Sequence, residues 1–404
     1  MTFKSKLTTA IATGAVLVNA LAPMAFADTI TVTGNGQDSV NHVSTNSNTT
    51  TTVNQTNTAA ITNKVDSSAS TGGNSSNGNT GGNVTVNTGS ANTSANVTNA
   101  ANANQASLNC TSCNSGSTDV TVTGNGEGSF NNPSVKTTNN VTVNQTNAAN
   151  FTNEVNSSAK TGGNDATSNT GGNTTVTTGY ATANTTVNNA ANANVASLGG
   201  SNGNTGGTSV TISGNGENSQ NPVGLNQYSA VVLNQNNSAN IGNFVGANAK
   251  TGGNSADGNT NGNSSVNTGG ATTNVTVDNA ANFNAASLDC NCVVDGLAAK
   301  IGGNGEGSWN TIYATTNNTV SPSQANGQSF TNLVYGHSKT GWNSVNGTTG
   351  TVWGDPSVTT GAGTSNSNVN NLGNVNTIGN VGGYTFGTTF DFNGLVAFLN
   401  GLFA

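Results

Sequence analysis

The feature that most constrains this chain is a repeat at one fixed step. Gly34-Asn35-Gly36 returns as Gly124-Asn125-Gly126, Gly214-Asn215-Gly216 and Gly303-Asn304-Gly305, at offsets of 90, 90 and 89 residues. A second marker, Thr71-Gly72-Gly73-Asn74, recurs at Thr161, at Thr251 and as Thr340-Gly341-Trp342-Asn343. Two independent markers sharing one period indicate tandem duplication, and such a period means stacked units that bury surface mainly against their neighbours. The units run 28–117, 118–207, 208–297 and, truncated and diverged, 298–355; a different segment, 356–404, follows.

Within each unit the alternation is strict. One face of the first carries Val53, Gln55, Asn57, Ala59, Ile61, Asn63 and Val65. Its copies place Gln145, Asn147, Ala149, Phe151, Asn153 and Val155, then Gln235, Asn237, Ala239, Ile241, Asn243 and Val245, on the same face. The fourth reads Gln324, Asn326, Gln328, Phe330, Asn332 and Val334. A period of two means strand. Amides on the preserved face need partners inside, and identical amides stacked at strand spacing supply them as ladders. A weaker alternation, Asn99, Ala101, Ala103 and Gln105, divides each unit into related halves. With Gly-rich punctuation read as turns, the halves suggest coils of roughly 22 residues, fourteen to seventeen in all, in a rod of roughly 65–80 Å. The fold class expected is all-β, a β-solenoid or parallel β-helix of four tandem repeats.

Composition agrees. Only 6% of residues are charged and 32% hydrophobic, too few for several cores of ordinary size. No Arg is present and the net charge is −7, which argues against nucleic acid as a partner. The competing reading of such a composition is a disordered stalk; alternation kept in four units argues against it.

Lys4 and Lys6, the apolar stretch Leu7–Leu21 and Ala25-Phe26-Ala27 form the three-part pattern of a signal peptide over 1–27, with cleavage expected after Ala27. Secretion, to the extracellular space or the cell surface, is therefore expected, with no transmembrane segment in the mature chain. In that oxidising setting Cys110, Cys113, Cys290 and Cys292 are disulfide candidates. They allow three pairings within one chain, and cross-links between molecules are an alternative.

Signals for catalysis are almost absent. His42 and His337 stand in different units, outside any catalytic pattern, and read as solvated loop residues. No catalytic residue, metal ligand or cofactor is assigned. Glu127, Glu217 and Glu306 follow the Gly-Asn-Gly turn, but with several coils per unit they would lie roughly 19 Å apart, too far for one Ca²⁺. Lys160, Lys250 and Lys339 each precede a Thr-Gly turn and read as solvated edge charges. Thr-x-Thr triplets such as Thr31-Val32-Thr33 are similar to those of ice-binding faces, yet once per unit is too sparse for a regular array in a many-coiled rod.

The face Gln55-x-Asn57-x-Ala59-x-Ile61-x-Asn63 resembles the curlin repeat of bacterial amyloid fibres, although the glycines that curlin places between Gln and Asn are missing. More broadly, the repeat resembles Asn/Gly/Thr-rich repetitive secreted bacterial cell-surface proteins. That resemblance implies a cell-surface or matrix role.

At the end of the chain, Val369, Leu372, Val375, Ile378 and Val381 recur every three residues, which fits neither a helix nor a flat strand. Leu395, Phe398, Leu399, Leu402 and Phe403 follow at helical spacing, either as a cap on the stack or as a terminus that docks another subunit or the envelope. The function expected is a non-enzymatic structural protein that assembles with itself end to end into fibres. Gln55, Asn57, Asn63, Gln145, Asn147, Asn153, Gln235, Asn237 and Asn243 are its candidate ladder residues. The alternative is a monomeric surface adhesin that binds polysaccharide, another envelope component or a host surface.

Overall fold

The computed structural model describes residues 8–11, 15–19, 29–108, 118–198, 208–288, 297–350 and 355–379. These form strands and turns, with no helix among the described residues. Two short strands, β1 (Thr8–Ile11) and β2 (Ala15–Asn19), come first. The first repeat then supplies β3 (Thr29–Thr33), β4 (Val40–Ser70), β5 (Val84–Thr88) and β6 (Ala91–Leu108). The second supplies β7 (Asp119–Thr123), β8 (Phe130–Lys160), β9 (Thr174–Thr178) and β10 (Ala181–Leu198). The third supplies β11 (Thr208–Ser213), β12 (Gln220–Lys250), β13 (Ser264–Thr268) and β14 (Ala271–Leu288). The last supplies β15 (Leu297–Gly302), β16 (Trp309–Lys339), β17 (Ser357–Thr360) and β18 (Gly363–Ile378); the fourth repeat therefore runs through Ile378 and is not truncated at 355, because β17 and β18 pair in register with β13 and β14.

Each repeat gives one strand to each of four parallel sheets, and equivalent residues of successive repeats are hydrogen-bonded neighbours. Asn57, Asn147, Asn237 and Asn326 are thus consecutive partners. The protein is a β-solenoid in which one whole repeat makes one coil. The expectation of 22-residue coils is corrected: there are four broad layers, not a tall rod. The reason is local. The alternation of β4 runs for 31 residues without a turn, so the chain cannot come back until the Thr-Gly-Gly-Asn segment. At about 3.3 Å per residue that strand has a contour of roughly 100 Å, while four layers at about 4.8 Å put the outermost backbones only about 14 Å apart.

Within a layer the long strand arches over and returns as the 18-residue strand of the same repeat, side chains facing inward. Asn63 meets Asn99 and Asn57 meets Asn104 across the arch. Between these amides lies a thin apolar filling, with Ile61, Phe151 and Ile241 against Ala101, Ala191 and Ala281. A second apolar patch joins Ile30, Val120 and Val210 to the opening of the long strands at Val135, Val223 and Leu225. The short β5 family closes a third patch through Val86, Val176 and Val266. The core is therefore a set of vertical apolar files separated by polar ones.

The 18-residue strands β6, β10 and β14 and the 16-residue β18 do not alternate cleanly. Asn102, Asn192, Asn282 and Asn374 have φ of 64°, 63°, 65° and 61°. A left-handed residue inside a strand inserts one unpaired position and exchanges the two faces. Asn99 and Ala101 face inward before it, Asn104 and Ala106 after it. The face Asn99, Ala101, Ala103 and Gln105 is thus split. The same bulge accounts for the three-residue period at the end of the chain. Leu372 and Val375 flank Asn374 and pack with Ala280 and Phe283, while Val369 and Ile378 pair with Val277 and Ala286.

Candidate assembly surface: amide ladders and open strand edges

All nine candidate ladder residues are buried. The Gln file runs through the stack: Gln145 donates to Gln55 at 2.7 Å, Gln235 to Gln145 at 2.8 Å and Gln324 to Gln235 at 2.6 Å. Gln145 and Gln235 also donate across the arch, to the carbonyls of Val195 and Ala285, both at 3.0 Å.

The Asn files form zigzags between the two walls of the arch. Asn57 donates to Asn104 (2.8 Å), Asn104 to Asn147 (3.0 Å), Asn147 to Asn194 (2.8 Å) and Asn194 to Asn237 (2.9 Å). The line continues to Asn284, Asn326 and Asn376. A second zigzag runs from Asn63 through Asn99, Asn153, Asn189, Asn243, Asn279 and Asn332 to Asn371. Each amide thereby meets donors and acceptors that a dry interior would otherwise leave unsatisfied.

Sequence reasoning missed the far wall of the first zigzag. Asn104 and its copies stand one position off the expected alternation, because the bulge at Asn102 lies between. It also missed that the turn markers are ladders themselves. Asn35 donates to Asn125 at 2.7 Å and Asn125 to Asn215 at 2.8 Å; Asn164 donates to Asn254 at 2.9 Å. The signal was present, since both markers keep one Asn in every repeat.

The single-layer repeat moves other residues. Glu127, Glu217 and Glu306 are in register in consecutive layers: Asp38 N–H donates to the Glu127 carbonyl, Gly128 N–H to that of Glu217 and Asn218 N–H to that of Glu306. The expected separation of roughly 19 Å is corrected to one strand spacing. Among the described residues no group of three or more His, Cys, Asp or Glu stands where it could hold a metal ion. Thr31, Thr121 and Thr211 also stack, as do Thr33, Thr123 and Ser213, so the Thr-x-Thr triplets do form a small array. His42 and His337 lie exposed in β4 and β16 rather than in loops, and the His42 ring packs on Phe130. Cys110, Cys113, Cys290, Cys292 and the terminal residues Leu395, Phe398, Leu399, Leu402 and Phe403 lie outside the described residues, as do Ala27 and Val381.

Charge is sparse and placed on the rims. Lys64 and Glu154 pair across two layers at 3.0 Å on an exposed face, and the carboxylate raises the Lys64 pKa. Asp257 clips a turn of the third layer to the fourth. Burial pushes its pKa up, but hydrogen bonds from Ser344, the Asn346 N–H and Ser255 outweigh it and hold the carboxyl below its usual range.

The sheets end in open edges. β4, β3 and β5 have a partner on one side only, as do β16, β15 and β17 at the other end of the stack. The free side of β6 carries β1 and β2, which pair with residues 97–100 and 103–107. No helix long and apolar enough to cross a membrane occurs among the described residues. No protein family model, curated protein or solved structure matches the chain.

Proposed function

We propose that this chain is the structural subunit of a secreted, cell-surface or matrix fibre that grows by stacking copies layer on layer. The observation that carries the proposal is the equivalence of the two ends. The last layer presents Gln324, Asn326 and Asn332 at the register where the first layer presents Gln55, Asn57 and Asn63. A second copy set down at the same step repeats contacts the protein already makes three times within itself. Long unpaired edges template such addition, and identical amides in register are what stabilise stacked-strand fibres. The curlin-like face points the same way.

Removal of residues 1–27, as the leader pattern implies, takes β1 and β2 off the edge of β6. Export and activation of the edge would then be one event. The test is negative-stain electron microscopy of purified 28–404 at micromolar concentration. Unbranched filaments support the proposal. Particles that stay separate at every concentration contradict it and favour the adhesin alternative.

A further inference from the structure

Lys160, Lys250 and Lys339 occupy one vertical file, with Ser70 at the same register in the first layer. They line a groove of about 420 Å³ whose lining holds no Asp or Glu. None of the three is in an ion pair with a described carboxylate. Like charges stacked at strand spacing repel one another, so this file gains from an anion that the protein itself does not provide.

The groove floor is the Thr-Gly-Gly segment. Its first glycine is required by packing: a Cβ at Gly72, Gly162 or Gly252 would meet the next layer's carbonyl oxygen at 2.1, 2.1 and 1.9 Å. The second is not so constrained. At Gly73, Gly163 and Gly253 a Cβ would meet nothing closer than 4 Å. The fourth layer places Trp342 at that register, in the same left-handed region with φ 58°. It is 81% exposed, and Lys339 Nζ lies 4.0 Å from the ring centroid. Three glycines thus keep the floor open, and one aromatic platform stands at its end. Trp in a left-handed conformation is an outlier with no packing reason here, which points to use.

We infer that this groove binds a linear acidic polysaccharide with one carboxylate on each sugar, running along the stacking axis. The lysines recur at the strand spacing of about 4.8 Å, close enough that each carboxylate turned towards the file lies within reach of more than one ammonium group. The flat face of a ring packs on an indole, whose apolar surface suits it. A nucleic acid fits less well, because the chain is acidic overall, with a net charge of −7. The site is independent of fibre formation; stacked copies would only lengthen the file, with Ser70 interrupting every third lysine.

The test is binding of a homogalacturonan oligomer to residues 28–404 by calorimetry, with a neutral glucan oligomer and single-stranded DNA as comparisons. The acidic oligomer should bind, weaken as salt is added, and outcompete DNA. Lys250→Gln should weaken it about five-fold and the triple Lys160→Gln/Lys250→Gln/Lys339→Gln should abolish it. Trp342→Gly installs the residue of the other layers and should cost about five-fold while leaving the salt dependence unchanged. Lys136→Gln, in β8 outside the groove, should change nothing. No binding of the acidic oligomer, equal or tighter binding of DNA, or a triple variant no weaker than Lys136→Gln would overturn the assignment.

Discussion

At the scale of single residues, stability rests on amides that both donate and accept. Asn147 donates to Ala193 carbonyl, Asn194 and Asn237, and accepts from Asn104. Asn147→Ala strands several buried groups at once, each costing about 1–3 kcal/mol if left unpaired. We expect a loss of roughly 3 kcal/mol in denaturant unfolding. Asn144, one register outside the core, makes an equally short bond to Asn54 on an exposed face, and Asn144→Ala should cost less than about 0.5 kcal/mol. Equal losses would mean that burial does not govern the ladders. Asp257 supplies a pH test. Its folded pKa is depressed, so its contribution is complete above the unfolded pKa and is lost as pH falls through the folded one. The unfolding midpoint should drop on the acid side, by the equivalent of less than about 1 kcal/mol since the group is only half-buried and partly screened by solvent, and Asp257→Asn should flatten that drop.

At the scale of elements, the strands on the Gln/Asn face were legible because their alternation is unbroken from Val53 to Val65 and in each copy. Coil length was not legible. A period of two says strand but not where the chain turns back, and the Gly-rich segments offer more turn signals than the fold uses. The fixed 90-residue register was the better guide, because parallel pairing of identical strands puts like on like. The 18-residue strands misled for another reason: a left-handed Asn leaves no mark on composition and exchanges inside with outside. The two glycines of each Thr-Gly-Gly turn separate packing from backbone conformation. Gly162→Ala drives a Cβ to 2.1 Å from the Gly252 carbonyl oxygen at φ +103°, and should cost about 3 kcal/mol or prevent folding. Gly163→Ala meets nothing within 4 Å at φ +68° and should cost about 1 kcal/mol for its conformation alone. Thermal unfolding of the pair decides; Gly163→Ala as damaging as Gly162→Ala would contradict the packing argument.

At the scale of the whole molecule, four layers make a body much broader than it is deep, with a long backbone ladder left open at each of two ends. The exposed large apolar residues cluster in the last layer, among them Leu297, Trp309, Tyr313, Leu333 and Tyr335. That end is the stickier one, so growth should be polar. Charge placed in the central layers does not test assembly cleanly, since Asn147 and Asn237 are buried and Lys there would unfold the subunit. Gln328→Lys acts at the end alone, since Gln328 is exposed in the last layer at the Ala239 register and takes no part in the Asn zigzags. It should leave the unfolding transition of the monomer within about 1 kcal/mol and stop elongation, seen as loss of filaments by light scattering and electron microscopy. Filaments that form at the parental rate would argue against register-matched stacking.

The most direct measurement of one repeat per layer, continued between molecules, is the axial repeat of filaments formed by residues 28–404, from fibre diffraction or helical reconstruction. The structure predicts a strand reflection near 4.8 Å together with a subunit rise of about 19 Å, four layers per molecule. A rise of roughly 65–80 Å, as short coils would give, or a strand reflection without any four-layer repeat, would contradict it.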